Sequence, residues 1–181
     1  MPQPTITLAK PWSDFLKALD HALSQEVSLT CIGGFALSVL YDLPRATGDI
    51  DYLEVMPPDA LHEIEAIGGR SSALAKKYGL ALQHVGGVAD PPEDYRSRLK
   101  ALVTNLSKVR LWVLDPYDLL LTKLTRNSPK DREDAKYLIG KEKLEFSTFS
   151  ARWEREMALW IGNRERHDLT VQLWKEYFPQ K

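Results

Sequence analysis

The spacing of apolar and polar positions changes character several times along the chain. Phe15, Leu16, Leu19 and Leu23 recur at helical intervals, with Ser13 standing where a cap is needed, which predicts a first helix. The run "EVSLTCIGG" is short and β-rich, and two glycines halt it. "FALSVLYDL" returns to helical spacing until Pro44 ends it. "GDIDYLEV" reads as a strand closed by Pro57 and Pro58, residues 59–78 as one amphipathic helix, and "LALQHV" as another strand. "DPPEDYRSRLKALV" then reads as a helix capped by Asp90, and "KVRLWVLD" as the last strand. From Asp115 onward the pattern is helical, in pieces punctuated by Pro116, Pro129 and Gly162.

Strand and helix signals alternate over residues 1–115, and helix alone follows over 116–181. That order predicts an α/β fold of the α+β kind: a small mixed β-sheet of at most four strands, backed by helices, with a C-terminal helical extension packed on it as one compact unit. In the tail Phe149, Trp153, Met157, Trp160 and Ile161, then Leu173, Trp174, Tyr177 and Phe178, make aromatic stripes. Such stripes belong in a core, against the sheet or against a second copy in a homodimer.

Composition narrows the function classes. With 24 basic and 25 acidic residues the net charge is −1, so no global field attracts nucleic acid or an anionic membrane. Arg96, Arg98, Lys100, Lys108 and Arg110 bias the middle of the chain toward positive charge, either as a solvated face or as a landing surface for a polyphosphate or RNA. No apolar run approaches the ~20 residues needed to span a bilayer. "MPQPTITLAKPW" lacks the apolar region of a signal peptide, so a cytoplasmic protein with no membrane partner is expected. Cys31 has no second cysteine to pair with and sits in an apolar run, which makes it a small buried hydrophobe. His21, His62, His84 and His167 show no metal-ligand spacing.

Two aspartates interrupt the strand at "PRATGDIDY". In an extended segment Arg45, Thr47, Asp49 and Asp51 share one face, while Ala46, Ile50 and Tyr52 share the other. Carboxylates two residues apart on a stiff strand can converge on a hard cation, and Mg²⁺ (or Mn²⁺) suits them because it takes oxygen ligands and completes its shell with water and phosphates. The competing structural reading is a pair of acids that blocks edge pairing. Gly33 and Gly34 end the preceding strand and lead into a helix, a geometry that presents backbone N–H groups to a phosphate or simply makes a tight turn.

"GGFALSVLYDLPRATGDID" resembles the signature of the DNA polymerase beta-type nucleotidyltransferase superfamily. Within it the chain is most similar to small bacterial nucleotidyltransferase-like domains related to abortive-infection type nucleotidyltransferase toxins. A second block, "KLTRNSPKDREDAKYL", is similar to the second motif of the same families. From its helical position Lys123 would bury its stem and set its ammonium at the rim of a cleft. Asp131 falls three residues after Ser128 in a capping-box arrangement, and Asp134 can pair with Lys130 four residues back. The resemblance implies that Gly33, Gly34, Arg45, Thr47 and Lys123 hold the nucleotide, that Asp49 and Asp51 bind the metal, and that Asp131 completes or supports the acidic site. An NTP would be the substrate. Many superfamily members use a third carboxylate on a later strand. "LALQHV" has none; its His84 could face the site but reads better as a partly buried histidine, and Asp115 reads better as a helix cap.

Three functions stay open on this reading: transfer of a nucleoside monophosphate to RNA, protein or a small molecule; a toxin-antitoxin or phage-defence component acting on tRNA or protein, with a cognate antitoxin; and a non-catalytic nucleotide-binding module.

Overall fold

The structure, a computed structural model, describes residues 6–45, 47–86, 89–157 and 162–179. The chain divides into two compact units, Met1–Gly86 with Leu99–Val113 and Gly87–Arg98 with Leu114–Lys181.

The first unit holds α1 (Trp12–Ala22), β1 (Val27–Ile32), α2 (Gly33–Tyr41), β2 (Asp49–Met56), α3 (Leu61–Gly68), α4 (Ala73–Tyr78), β3 (Ala81–His84), β4 (Lys100–Leu102) and β5 (Val109–Val113). The strands form one sheet in the order β3-β2-β1-β5-β4. β1 runs antiparallel to β2 and parallel to β5, β2 runs parallel to β3, and β4 runs antiparallel to β5, so the sheet is mixed.

It has five strands, one more than the sequence pattern shows. The helix expected over residues 90–103 is absent: Tyr95–Arg98 is a single 3-10 turn, and Lys100–Leu102 pairs with β5. A strand of three residues has too little pattern to announce itself and is held by its partner. The single helix expected over residues 59–78 is broken at Gly68–Gly69. A Cβ on Gly69 would stand 2.4 Å from the Glu65 carbonyl oxygen, and Ser72 then starts α4 by accepting from the Ala75 N–H. Ser13 does not cap α1; it lies inside the helix, whose N-cap position is Pro11.

One face of the sheet is core. Val27, Leu29 and Cys31 of β1, Ile50, Tyr52 and Val55 of β2, and Val109, Leu111 and Val113 of β5 are buried, as are Phe15, Leu16 and Leu19 of α1. Asp20 of α1 fastens β5: its carboxylate accepts from the N–H groups of Ser107, Lys108 and Val109 at 3.0, 2.6 and 2.8 Å. Burial raises the pKa of Asp20, but these three donors outweigh it and hold the carboxyl below its ordinary range.

The second unit holds α5 (Pro116–Leu124), α6 (Pro129–Glu142), α7 (Phe146–Glu156) and α8 (Arg164–Trp174). Leu120, Leu121, Leu124, Phe149, Trp153, Met157, Trp174 and Phe178 are buried, and Phe149 stacks on Trp174. Leu173, expected in that stripe, is 56% exposed. Trp160 and Ile161 lie outside the described residues. Asp115 caps α5 through the Asp118 N–H, as expected. Of the basic run in mid-chain, Arg98 is spent on Asp118 and Glu156 inside this unit. Lys108 of the first unit donates to the Leu23 carbonyl, and Lys100 sits over the Tyr41 ring. Among the described residues no helix is long and apolar enough to cross a membrane.

Candidate functional site

The first unit gathers the glycine pair and the aspartate strand at one end of the sheet. Ile32, the last residue of β1, pairs with Asp51, and α2 begins at the next residue. Gly33 makes the turn with φ +70°, a left-handed conformation that disfavours any side chain. A Cβ there would also stand 2.5 Å from Asp51 Oδ2. At Gly34 a Cβ would touch Thr47 Cβ and Oγ1, each at 3.4 Å. Thr47 Oγ1 lies 3.4 Å from the Asp49 backbone nitrogen, and the Arg45 carbonyl accepts from Ser38 Oγ of α2 at 3.0 Å. Among the described residues no side chain caps the start of α2, so its first-turn N–H groups carry the positive end of the helix.

The expected alternation holds from Asp49 to Tyr52. Ile50 and Tyr52 are fully buried, whereas Asp49 and Asp51 are half-buried on the opposite face; Ala46 lies outside the described residues. Burial, and then the negative charge of Asp51, pushes the Cys31 thiol up, so Cys31 is the inert hydrophobe it was expected to be. Burial also pushes the Tyr52 hydroxyl up to about 12.

Two neighbours shape the carboxylate face. Asp51 pairs with Gln83 of β3, and Arg70, from the turn between α3 and α4, donates to Gln83 Oε1 at 2.6 Å and to Asp49 Oδ2 at 3.2 Å. The β3 position beside Asp51 is therefore an amide and not a carboxylate. Among the described residues no group of three or more His, Cys, Asp or Glu side chains could hold a metal ion. His84, by contrast, pairs with Tyr52, which puts it on the face away from the aspartates. Its Nε2 lies 3.0 Å from the Leu53 carbonyl oxygen.

That carbonyl belongs to a β-bulge. Cys31 pairs with Tyr52 but Thr30 pairs with Glu54, leaving Leu53 as the extra residue of β2. The alternation resumes one step out of phase: Val55 turns to the core, and Glu54 comes to the face of Asp49 and Asp51. Neither this shift nor Arg70 has a sequence signal of its own, since bulges and turn arginines are settled by tertiary partners.

The second block builds a separate cluster within the second unit. Lys123 is 6% exposed and its Nζ donates to Asp134 Oδ2 at 2.7 Å, with Asp131 Oδ1 at 3.6 Å. Its ammonium is thus buried between two carboxylates instead of standing at a rim, and Asp134 pairs with Lys123 where Lys130 was expected. Asp131 completes the capping box with Ser128 and takes a bidentate contact from Arg126 at 2.7 and 2.6 Å. Burial raises its pKa, but Arg126, Ser128 and Lys123 outweigh that and hold it at about 2.

A mixed sheet in which a glycine pair opens a helix against a strand bearing two aspartates agrees with a nucleotidyltransferase-like domain, the class that the family match supports. The chain belongs to the family described as a nucleotidyltransferase of unknown function (DUF6036), whose family model matches residues 13–181. No curated protein and no solved structure matches it.

Proposed function

We propose that this chain is a Mg²⁺-dependent enzyme of the DNA polymerase beta-type superfamily that transfers a nucleoside monophosphate from an NTP to an acceptor hydroxyl or phosphate. The observation that carries the reading is the placing of the Asp51 carboxylate against the start of α2, where a Cβ on Gly33 would stand 2.5 Å from Asp51 Oδ2. It supports a triphosphate over the helix start and a cation beside it. Two half-buried carboxylates on one strand face fit Mg²⁺, which is commonly held by one or two carboxylates plus substrate phosphates. Asp49 and Asp51 would hold it, and when bound it neutralises the triphosphate and favours the anionic form of the attacking oxygen.

The residues themselves supply position and field. The first-turn N–H groups of α2 receive phosphate oxygens, and Thr47 and Arg45 border that end. A bond forms between the acceptor oxygen and the α-phosphorus, and the bond to the pyrophosphate leaving group breaks. Lys123 and Asp131, named by the motif resemblance, act by fixing the second unit, since both are committed to buried ion pairs. Replacing Asp49 and Asp51 by Asn abolishes Mg²⁺-dependent NTP turnover on this reading; turnover that persists would refute the assignment.

Gln83 favours a second reading, a module that binds nucleotide without reacting, because the strand position beside Asp51 lacks a carboxylate. Calorimetry with NTP and Mg²⁺ beside a turnover assay separates the two. On either reading the motif resemblance to abortive-infection toxins supports a toxin or phage-defence role. Growth arrest on expression that disappears in the Asn variant is its signature.

A further inference from the structure

The face of the sheet that carries Asp49 and Asp51 continues across β1 to β5. Asp51 pairs with Ile32, Thr30 pairs with Trp112, and Ser28 pairs with Arg110, so these side chains share one side of the sheet. Trp112 is 36% exposed there, while Leu111 and Val113 on either side of it are buried in the core. Its neighbours across the strands are small: Thr30 on β1 and Ala101 on β4. A hollow of about 200 Å³ lies along β4 and β5 at this place, lined in part by Ala101, Val103, Arg110 and Trp112.

An indole held on an interior strand beside small residues and partly exposed to solvent can serve as a stacking surface. Arg110 stands two residues away on the same side and is 52% exposed; its Nη1 donates to the Leu106 carbonyl oxygen at 3.3 Å, and its Nη2 lies 3.8 Å from the exposed Glu26 carboxylate. Its guanidinium is thereby placed to meet a phosphate while the indole meets a base.

We propose that Trp112 and Arg110 form a stacking platform for a single-stranded nucleic-acid end, which makes a nucleic acid the acceptor; this rests on the nucleotidyltransferase reading of Asp49 and Asp51. The spacing agrees with such a substrate. Two strand intervals and two residues along β1 separate Asp51 from Trp112 by roughly 12 Å. That length corresponds to about three stacked nucleotides at ~3.4 Å each, fewer when the strand is extended. A strand whose terminal hydroxyl lies over the aspartates therefore brings a nearby base over the indole.

The test is fluorescence anisotropy of the full chain with a short labelled oligoadenylate and its DNA counterpart, beside calorimetry of wild-type protein with Mg²⁺ and ATP. Trp112→Ala should weaken strand binding about ten-fold or more, and Trp112→Phe should keep most of it. Arg110→Ala should flatten the salt dependence. Equal melting temperatures confirm that the variants are folded. No strand binding by wild type, or equal binding by Trp112→Ala, overturns the proposal. If wild type binds strands through Trp112 but neither binds nor turns over Mg²⁺-ATP, the platform stands and the nucleotidyltransferase reading falls. Turnover onto another acceptor, without strand binding, gives the reverse.

Discussion

Gly33 and Asp51 are built against each other: the space a Gly33 side chain would fill is taken by the Asp51 carboxylate, 2.5 Å from the place of a Cβ. Gly33→Ala therefore combines two effects, left-handed strain of about 1–2 kcal/mol and displacement of the carboxylate. Gly79 isolates the first, since it has φ +65° and nothing within 4 Å of a Cβ. Both alanine variants should lower the melting temperature, and Gly33→Ala alone should also lose Mg²⁺-dependent NTP turnover by ten-fold or more. Equal turnover in the two variants would separate Gly33 from the site.

Arg70 holds Asp49 and Gln83 from an exposed turn. As an exposed ion pair it contributes about 0–1 kcal/mol to stability, so Arg70→Ala should melt near wild type. It is, however, a cation already seated on a proposed metal ligand. Its removal should tighten Mn²⁺ binding in the absence of nucleotide several-fold, read by calorimetry; unchanged or weaker Mn²⁺ binding would show that Asp49 is not a ligand.

The buried Lys123–Asp134 pair makes a stronger demand on stability. Lys123→Met removes the buried ammonium that lies between Asp131 and Asp134 and should cost about 3–5 kcal/mol in denaturant unfolding. The double variant Lys123→Met, Asp134→Leu should recover a large part of that loss, because one of the two buried carboxylates leaves with the ammonium it faced. No recovery would mean that the pair is not the unit that matters.

Acid should act through two carboxylates. Asp20 and Asp131 both have folded pKa values below the unfolded value near 3.9, so their stabilisation is fully present above that pH and lost as pH falls through the folded value, about 2 for Asp131. Asp131 alone accounts for about 2 kcal/mol of this loss. Asp131→Asn should be less stable than wild type at pH 7 and should show a flatter decline between pH 4 and about 2 in urea melts. An unchanged slope would remove Asp131 from the account.

The long periodic segments were legible in the sequence because their burial pattern and their local preference agree. α1, β1, the first half of β2 and β5 all fall where apolar spacing puts them, and the structure sets Gly33 against Asp51 and Gly34 against Thr47. What escaped was set by distant partners. β4 is too short to carry a pattern and exists because β5 pairs with it. The depth of Lys123 depends on Asp134 in the next helix, which helical spacing on α5 cannot reveal. His84 could by its type either face the site or stand as a partly buried histidine, and register decides it, turning it to the side away from the aspartates.

The bulge at Leu53 has a consequence of counting. In a regular strand, residues an odd number apart can never stand on the same side, so Asp51 and Glu54 would be strangers. One unpaired residue splices β2 into two half-strands of opposite parity and makes them neighbours on one face. The join is held by the Leu53 carbonyl against the His84 imidazole, and Gly86 can pass there because a Cβ would come within 2.5 Å of that same oxygen. Asp51 and Glu54 thus share a face across a bulge whose carbonyl lies beside a histidine on the opposite side of the sheet.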